Sequence, residues 1–150
     1  LNVNFEPENE IENFGWPISS YGEHFGFKKR DDNHKLYKKA PYYDSHEKYG
    51  FIEPVKYWKP SIGTSEIIIL KPNTFTVNSN REILVAAMGN KVKEGDLAIH
   101  YLQADNEFKI KKHEIITIKE RIRDMIYSDK LGKIFLFLES TSSIGVIDLK

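Results

Sequence analysis

The sequence predicts an all-β protein made of antiparallel strands, arranged as the four-stranded blades of part of a β-propeller. From residue 63 onward, short segments rich in Ile, Val, Phe and Tyr alternate with clusters of Asn, Gly, Asp and Ser. None of these segments has the apolar spacing of a helix. Short strands joined by tight turns favour an antiparallel meander, in which each strand pairs with the next.

Seven strands are predicted, and their grouping indicates the architecture. They cover residues 66–70, 82–88, 97–103, 111–118, 123–128, 133–139 and 144–149. Four strands followed by three resemble one complete blade and most of another, at the roughly 40 to 50 residues per unit typical of propellers. A β-sandwich fits the strand count nearly as well. The incomplete last group favours the propeller, because ring closure often takes the missing strand from the start of a chain.

The predicted organisation has three parts. Residues 1–62 form a loop-rich segment with aromatic turns, residues 63–118 one four-stranded blade, and residues 119–150 most of a further blade. In the first part, Trp16 lies among glycines and a proline and is expected to be a buried anchor of a packed turn. Residues 53–60, bounded by prolines, read as an edge strand.

Composition restricts the possible functions. The 22 Lys and Arg residues balance the 22 Asp and Glu residues, which argues against a nucleic-acid partner. There is no cysteine, so disulfides and thiolate metal sites are excluded. No apolar run approaches the ~20 residues of a membrane span. The sequence begins with Leu and shows no targeting signal, so we expect a piece of a longer chain.

The most informative polar stretch is Arg121-Ile122-Arg123-Asp124, between two apolar strand patterns. Side chains alternate along a strand, so Arg121 and Arg123 are expected on one face and Ile122 and Asp124 on the other. Two adjacent guanidiniums repel each other, but together they suit a polyanionic ligand. The alternative is a solvated basic pair that Glu120 and Asp124 neutralise.

Histidines give no comparable signal. His24, His34 and His46 lie in the loop-rich part at spacings of ten and twelve, which do not suit a zinc site. His100 and His113 fall within strand patterns and are interpreted as ordinary strand residues. We therefore expect no metal ligand among these histidines.

Several segments resemble, in order and spacing, the soluble quinoprotein sugar dehydrogenases, the glucose/sorbosone dehydrogenase family. Residues 14–22 are similar to its Tyr-Gly-Trp-Pro segment, and residues 53–62 to the strand that leads into its Pro-Ser-Ile-Ala-Pro turn. Residues 82–87 resemble the strand before its cofactor-side loop, and residues 121–124 match its Arg-x-Arg-Asp. Residues 133–138 and 144–149 resemble its closing strands.

The resemblance implies a six-bladed propeller that binds pyrroloquinoline quinone and calcium and oxidises aldose sugars or related alcohols at the anomeric carbon. Arg121 and Arg123 would then bind the quinone, and Tyr57 and Trp58 would border the substrate mouth. The catalytic histidine and the calcium ligands are expected upstream. By the same resemblance, the protein is periplasmic or secreted and passes electrons to an external acceptor.

Some positions depart from the family pattern. A lysine that the family often carries after the strand at 82–87 is most closely matched by Gly89, so Lys91 is the candidate replacement for cofactor binding. The Ala-Pro after Pro-Ser-Ile is here Gly63-Thr64, and the turn after the arginines lacks Gly-Pro-Asp-Gly. A propeller without redox activity, binding carbohydrate or an acidic protein partner, is the alternative function.

Overall fold

The structure is a computed structural model that describes residues 1–4, 12–16, 19, 21, 46–76, 80–92 and 95–149. Regular structure in these residues is nearly all β, which confirms the predicted fold class. The chain divides into two units, Leu1–Ser61 and Ile62–Lys150. The predictions made for His24 and His34 lie outside the described residues.

The second unit contains two antiparallel sheets formed by consecutive strands. The first sheet has the order β1-β2-β3-β4 and the second the order β5-β6-β7. The strands are β1 (Thr64–Leu70), β2 (Arg81–Ala87), β3 (Ala98–Ala104), β4 (Ile110–Thr117), β5 (Ile122–Ser128), β6 (Lys133–Leu138) and β7 (Ser143–Asp148).

Both sheets are simple meanders, and none of the described strands crosses from one sheet to the other. Sandwiches of this size usually exchange strands through Greek-key connections, whereas each propeller blade is a meander of its own. The arrangement therefore fits part of a propeller, although the two sheets do not close a ring. Within the described ranges, no helical segment has the length and apolarity needed to cross a membrane.

One apolar cluster joins the two sheets. Strands β2 and β3 contribute Leu84, Ala86, Ile99 and Tyr101, all at most 3% exposed. The second sheet contributes Ile122, Met125, Ile134 and Leu136. β2 is buried at nearly every position, so both of its faces are covered, as the unbroken apolar run Ile83-Leu84-Val85-Ala86-Ala87 requires.

Two β-bulges interrupt this regular pattern at the edge where β1 meets β5. The register of β1 against β2 shifts between Thr64 and Glu66, and that of β5 against β6 shifts between Ile122 and Asp124. The two bulges are joined directly, because the hydroxyl of Ser65 donates to the carbonyl of Ile122 at 2.5 Å. A bulge bends its strand and redirects side chains, and here it does so next to Arg121 and Arg123.

The first unit differs from its prediction at two places. Trp16 is 74% exposed and is not a buried anchor. Gly15 is the close-packed residue of this turn, since it has a φ of 83° and an added Cβ would lie 2.9 Å from the ring of Phe51. Residues 53–60 form no strand, and the regular structure described nearby is a 3-10 turn at Glu47–Tyr49. The two prolines that bound residues 53–60 limit ladder hydrogen bonding, which explains the irregular backbone.

Candidate functional site

The two arginines at the start of β5 are held together by two residues. Arg121 donates from Nε to the carbonyl of Met88 at 2.8 Å and from Nη1 to Glu139 Oε1 at 3.2 Å. Arg123 places Nε 2.5 Å from Glu139 Oε2 and Nη1 3.4 Å from the Met88 sulfur. We call Arg121 and Arg123 the arginine clamp.

The backbone explains why Glu139 reaches both arginines. Glu139 N donates to Arg121 O at 3.0 Å, which extends the β5–β6 ladder one residue beyond the pair Ile122 and Leu138. In an uninterrupted register Glu139 would face Ile122. The bulge in β5 moves Glu139 opposite Arg121, from where its two carboxylate oxygens reach both guanidiniums.

Residues 121–124 differ from the sequence-based expectations in two ways. Ile122 and Met125 share the buried core, whereas Asp124 is exposed and pairs with Phe137, so Asp124 does not lie on the face of Ile122. Glu139, and neither Glu120 nor Asp124, makes the contacts that neutralise the clamp. The carboxylate of Glu120 instead accepts two hydrogen bonds from Thr141, from its N at 2.6 Å and its Oγ1 at 2.9 Å.

The arginine clamp is partly exposed and has donors with which it can bind a ligand. The side chains of Arg121 and Arg123 are 39% and 43% exposed, and that of Glu139 is 32% exposed. Each guanidinium has five N–H donors, and the contacts with Met88 and Glu139 use Nε and Nη1 of each arginine. In the part of the chain that the structure describes, no contact uses Nη2 of either arginine, and Glu139 is the carboxylate that faces the two positive charges.

The loop that follows β2 is fixed by a buried carboxylate. Asp96 is 5% exposed, and its Oδ2 accepts hydrogen bonds from the backbone N of Asn90 at 3.0 Å and of Lys91 at 3.1 Å. Gly89 N lies 3.1 Å from the carbonyls of both Ile62 and Asp96. These bonds set the shape of the loop that presents Met88 to the clamp. The side chain of Lys91 is exposed, and its role in cofactor binding stays a prediction.

A shallow cleft lies along the bulged start of β1. It has a volume of about 220 Å³ and is lined by Thr64, Ser65, Glu66 and Ile67. Ser65 also contacts Ile122, the residue between the two clamp arginines. The cleft is thus close in space to the clamp, although the two are far apart in the sequence.

A family model described as Glucose / Sorbosone dehydrogenase matches residues 7–145. The chain belongs to the glucose/sorbosone dehydrogenase family. Sugar dehydrogenases of this family are oxidoreductases that generally depend on pyrroloquinoline quinone. A search of curated proteins and a search of solved structures found no match to the chain.

The clamp of this sugar dehydrogenase family member suits the chemistry of the family cofactor. Pyrroloquinoline quinone is planar and carries three carboxylates, and guanidinium forks bind carboxylates through paired hydrogen bonds. The two partly exposed guanidinium forks supply donors of this kind. Within the described residues, no group of three or more His, Asp or Glu side chains could hold a metal ion.

The predicted substrate-lining residues belong to the first unit. The ring of Tyr57 is stacked on that of Tyr21, with centroids 4.1 Å apart and planes 10° apart, and is 48% exposed. Lys56 Nζ lies 5.7 Å from the ring centroid of Trp58. Glu53 fixes this region by accepting hydrogen bonds from Tyr21 Oη at 2.6 Å and His46 N at 2.8 Å. The role of Tyr57 and Trp58 at a substrate mouth stays a prediction.

His100 and His113 occupy strands β3 and β4, where the sequence placed them, and form a pair that it did not indicate. His100 Nε2 lies 3.0 Å from Gly95 O, and His100 Nδ1 lies 2.8 Å from His113 Nε2. A carbonyl only accepts, so His100 Nε2 carries a proton, and a neutral His100 then accepts from His113 at Nδ1. Both nitrogens of the buried ring of His100 are thereby used within the fold, which indicates a structural role.

Proposed function

We propose that this chain supplies the quinone-binding arginine clamp of a sugar dehydrogenase that oxidises aldoses or related alcohols at the anomeric carbon. The observation that carries the proposal is the pairing of Arg121 and Arg123 at one partly exposed site, in a member of a family that generally uses pyrroloquinoline quinone. The bulged start of β5 places the two positive charges side by side, and a carboxylate-rich ligand would offset their repulsion.

In this proposal the chain would bind and orient pyrroloquinoline quinone, and that cofactor would supply the acceptor for the hydride of the sugar. Arg121 and Arg123 would hold carboxylates of the cofactor through their guanidinium groups. Met88 fixes the orientation of both side chains from one side and Glu139 from the other. We assign no catalytic base and no calcium ligand to this chain.

The test is a titration of the protein, expressed from its complete reading frame, with pyrroloquinoline quinone and calcium. Quinone binding is followed by fluorescence, and dye reduction is measured with a panel of aldoses. Arg121→Ala and Arg123→Ala are each expected to weaken quinone binding about tenfold to a hundredfold, the range for one charge-assisted hydrogen bond. Unchanged quinone affinity in both variants would contradict the proposal.

Lys133→Ala is the matched control. Lys133 is a cation of the same sheet whose Nζ pairs with Asp148 at 2.9 Å, and its side chain is 37% exposed. The variant removes one positive charge and one ion pair without touching the clamp. Quinone affinity close to that of the unsubstituted protein is expected.

Carbohydrate binding without redox activity is the second candidate function. It is favoured by the exposed ring of Tyr57, which Tyr21 holds rigid from behind, because rigid aromatic surfaces are common partners of sugar rings. Sugar binding measured by calorimetry in the absence of quinone, together with no dye reduction at saturating quinone and calcium, would support this function over the dehydrogenase.

A further inference from the structure

We propose that Glu139 is a positioning residue of the arginine clamp, which holds Arg121 and Arg123 side by side in the geometry that a polycarboxylate ligand requires. The inference rests on the proposed function, because its ligand is the quinone of that proposal. Glu139 is not expected to touch the ligand. It acts through the two guanidiniums.

Glu139 contacts both arginines of the clamp through its side chain. Glu139 divides its oxygens between the arginines, with Oε1 3.2 Å from Arg121 Nη1 and Oε2 2.5 Å from Arg123 Nε. Its backbone is fixed in turn, because Glu139 N donates to Arg121 O at 3.0 Å. One rigidly placed carboxylate thus sets the spacing of both forks.

The solvent exposure of the two arginines makes a fixed partner important for their order. The clamp side chains are 39% and 43% exposed, so packing alone does not fix their rotamers. A flexible arginine must be immobilised when it binds a ligand, and a side chain that is already held avoids most of that cost. Met88 contacts each arginine once, through a carbonyl and a sulfur, and among the described residues only Glu139 offers both of them a charged partner.

An opposing effect acts at the same site. Glu139 is itself an anion, so its removal also strengthens the long-range attraction of the clamp for carboxylates. For partly exposed groups separated by several ångströms this attraction is small and is screened by salt. The loss of order in two long side chains is therefore expected to outweigh it.

The experiment measures pyrroloquinoline quinone affinity by fluorescence titration in the protein expressed from its complete reading frame. Glu139→Ala is expected to weaken binding about fivefold to thirtyfold. Glu139→Gln is expected to weaken it less, because the amide keeps one acceptor oxygen and can hold one arginine. Melting temperatures are recorded for each variant, to separate loss of affinity from loss of the folded state.

Glu120→Gln is the control. Glu120 adjoins Arg121 in the chain, but its carboxylate accepts hydrogen bonds from Thr141 and makes none of the clamp contacts. Affinity should be unchanged in this variant. A positioning role also predicts non-additivity: once Arg121 and Arg123 are both alanine, Glu139→Ala should weaken binding no further.

The outcomes separate the two proposals. If the arginine variants lose affinity while Glu139→Ala binds as tightly as the unsubstituted protein or more tightly, the positioning role is wrong and the quinone site stands. If Glu139→Ala weakens binding equally with and without the arginines, Glu139 acts by another route, and the positioning role is again wrong. If the arginine variants keep full affinity, the proposed function itself fails.

Discussion

The carboxylate of Asp96 occupies the space that a side chain on Gly89 would need. An ideal Cβ at Gly89 would lie 2.5 Å from the Cβ of Asp96 and closer still to its carboxyl group. Asp96 cannot withdraw freely, because its Oδ2 holds the backbone N of Asn90 and of Lys91. The absence of a side chain at position 89 and the buried acid at position 96 are therefore two parts of one arrangement, in the loop that presents Met88 to the clamp.

Gly89→Ala is predicted to lower the free energy of unfolding by about 1–3 kcal/mol, the usual range for overpacking a closed site. Urea denaturation monitored by circular dichroism measures the change. Gly145→Ala is the control, since its added methyl would meet the flexible end of Leu138 at 3.1 Å. Equal stability of the two variants would contradict the explanation from close packing.

Asp96→Ala tests the same arrangement from the other side. On its own this substitution is expected to lower the free energy of unfolding by about 1–3 kcal/mol, because the backbone N–H groups of Asn90 and Lys91 lose their acceptor. In the Asp96→Ala background, Gly89→Ala should cost clearly less than it does alone. A double-mutant cycle in urea measures this coupling, and strictly additive effects would show that the two positions are independent.

The strand positions could be predicted closely from the sequence. Apolar runs such as Ile67-Ile68-Ile69-Leu70 are flanked by more polar residues, so they mark where a buried strand lies. The predicted strand at 123–128 is observed at Ile122–Ser128. The acid that neutralises the clamp was missed, since a bulge changes which residues face each other and has no sequence signature here. Counting the β5–β6 hairpin back from its turn would have brought Glu139 within one residue of Arg121.

The first unit was predicted less well for a different reason. The predictions for Trp16 and for residues 53–60 rest on residue type, which gives an average tendency for burial or extension. The actual exposure of Trp16 depends on which neighbour fills the turn, and Phe51 does so against Gly15. No local pattern encodes a contact between residues 36 positions apart (51 − 15).

Glu82→Gln is predicted to destabilise the fold by about 1–3 kcal/mol. Glu82 is fully buried, and its oxygens accept hydrogen bonds from Phe75 N and Thr76 N, both at 2.8 Å, and from Tyr101 Oη at 2.6 Å. In glutamine an NH₂ group replaces one of the two oxygens. In either orientation this NH₂ donor faces the backbone N–H of Phe75 or of Thr76, which is also a donor.

The control for this prediction is Glu114→Gln. Glu114 is an exposed residue of β4 whose carboxylate pairs with Lys112 at 2.8 Å. Exposed pairs of this kind contribute little to stability, so the change in the urea midpoint should be small. If Glu82→Gln changes the urea midpoint as little as the control does, the buried carboxylate does not hold the segment of Phe75 and Thr76.

Ser65→Ala is predicted to destabilise by about 0.5–1.5 kcal/mol, the net contribution of a typical hydrogen bond. Its hydroxyl donates to Ile122 O across the two facing bulges, and alanine leaves that carbonyl without this donor. Ser143→Ala is the control, since its hydroxyl contacts Thr141 at the surface. Equal urea midpoints for the two variants would argue against a structural link between the bulges.

Stability at alkaline pH should depend on Tyr101. Burial, and then the hydrogen bond to Glu82, raises the pKa of Tyr101 above its ordinary 10.0. Between the unfolded pKa of about 10 and the higher folded pKa, the native state keeps a proton that the unfolded state has released. The contribution is fully present below about pH 10 and is lost as the pH rises through the folded pKa.

Tyr101→Phe removes this titration. The variant also loses the hydrogen bond that the hydroxyl donates to Glu82, the one that it accepts from Gln103 and the one that it shares with Thr76, so its stability at pH 8 should be lower. Its free energy of unfolding should nevertheless fall less steeply between pH 9.5 and 11 than that of the unsubstituted protein, because position 101 no longer carries a tyrosine that resists ionisation in the folded state. Urea titrations at several pH values give both curves. Parallel curves would mean that Tyr101 ionises equally readily in the folded and unfolded states, and that its burial leaves no pH signature.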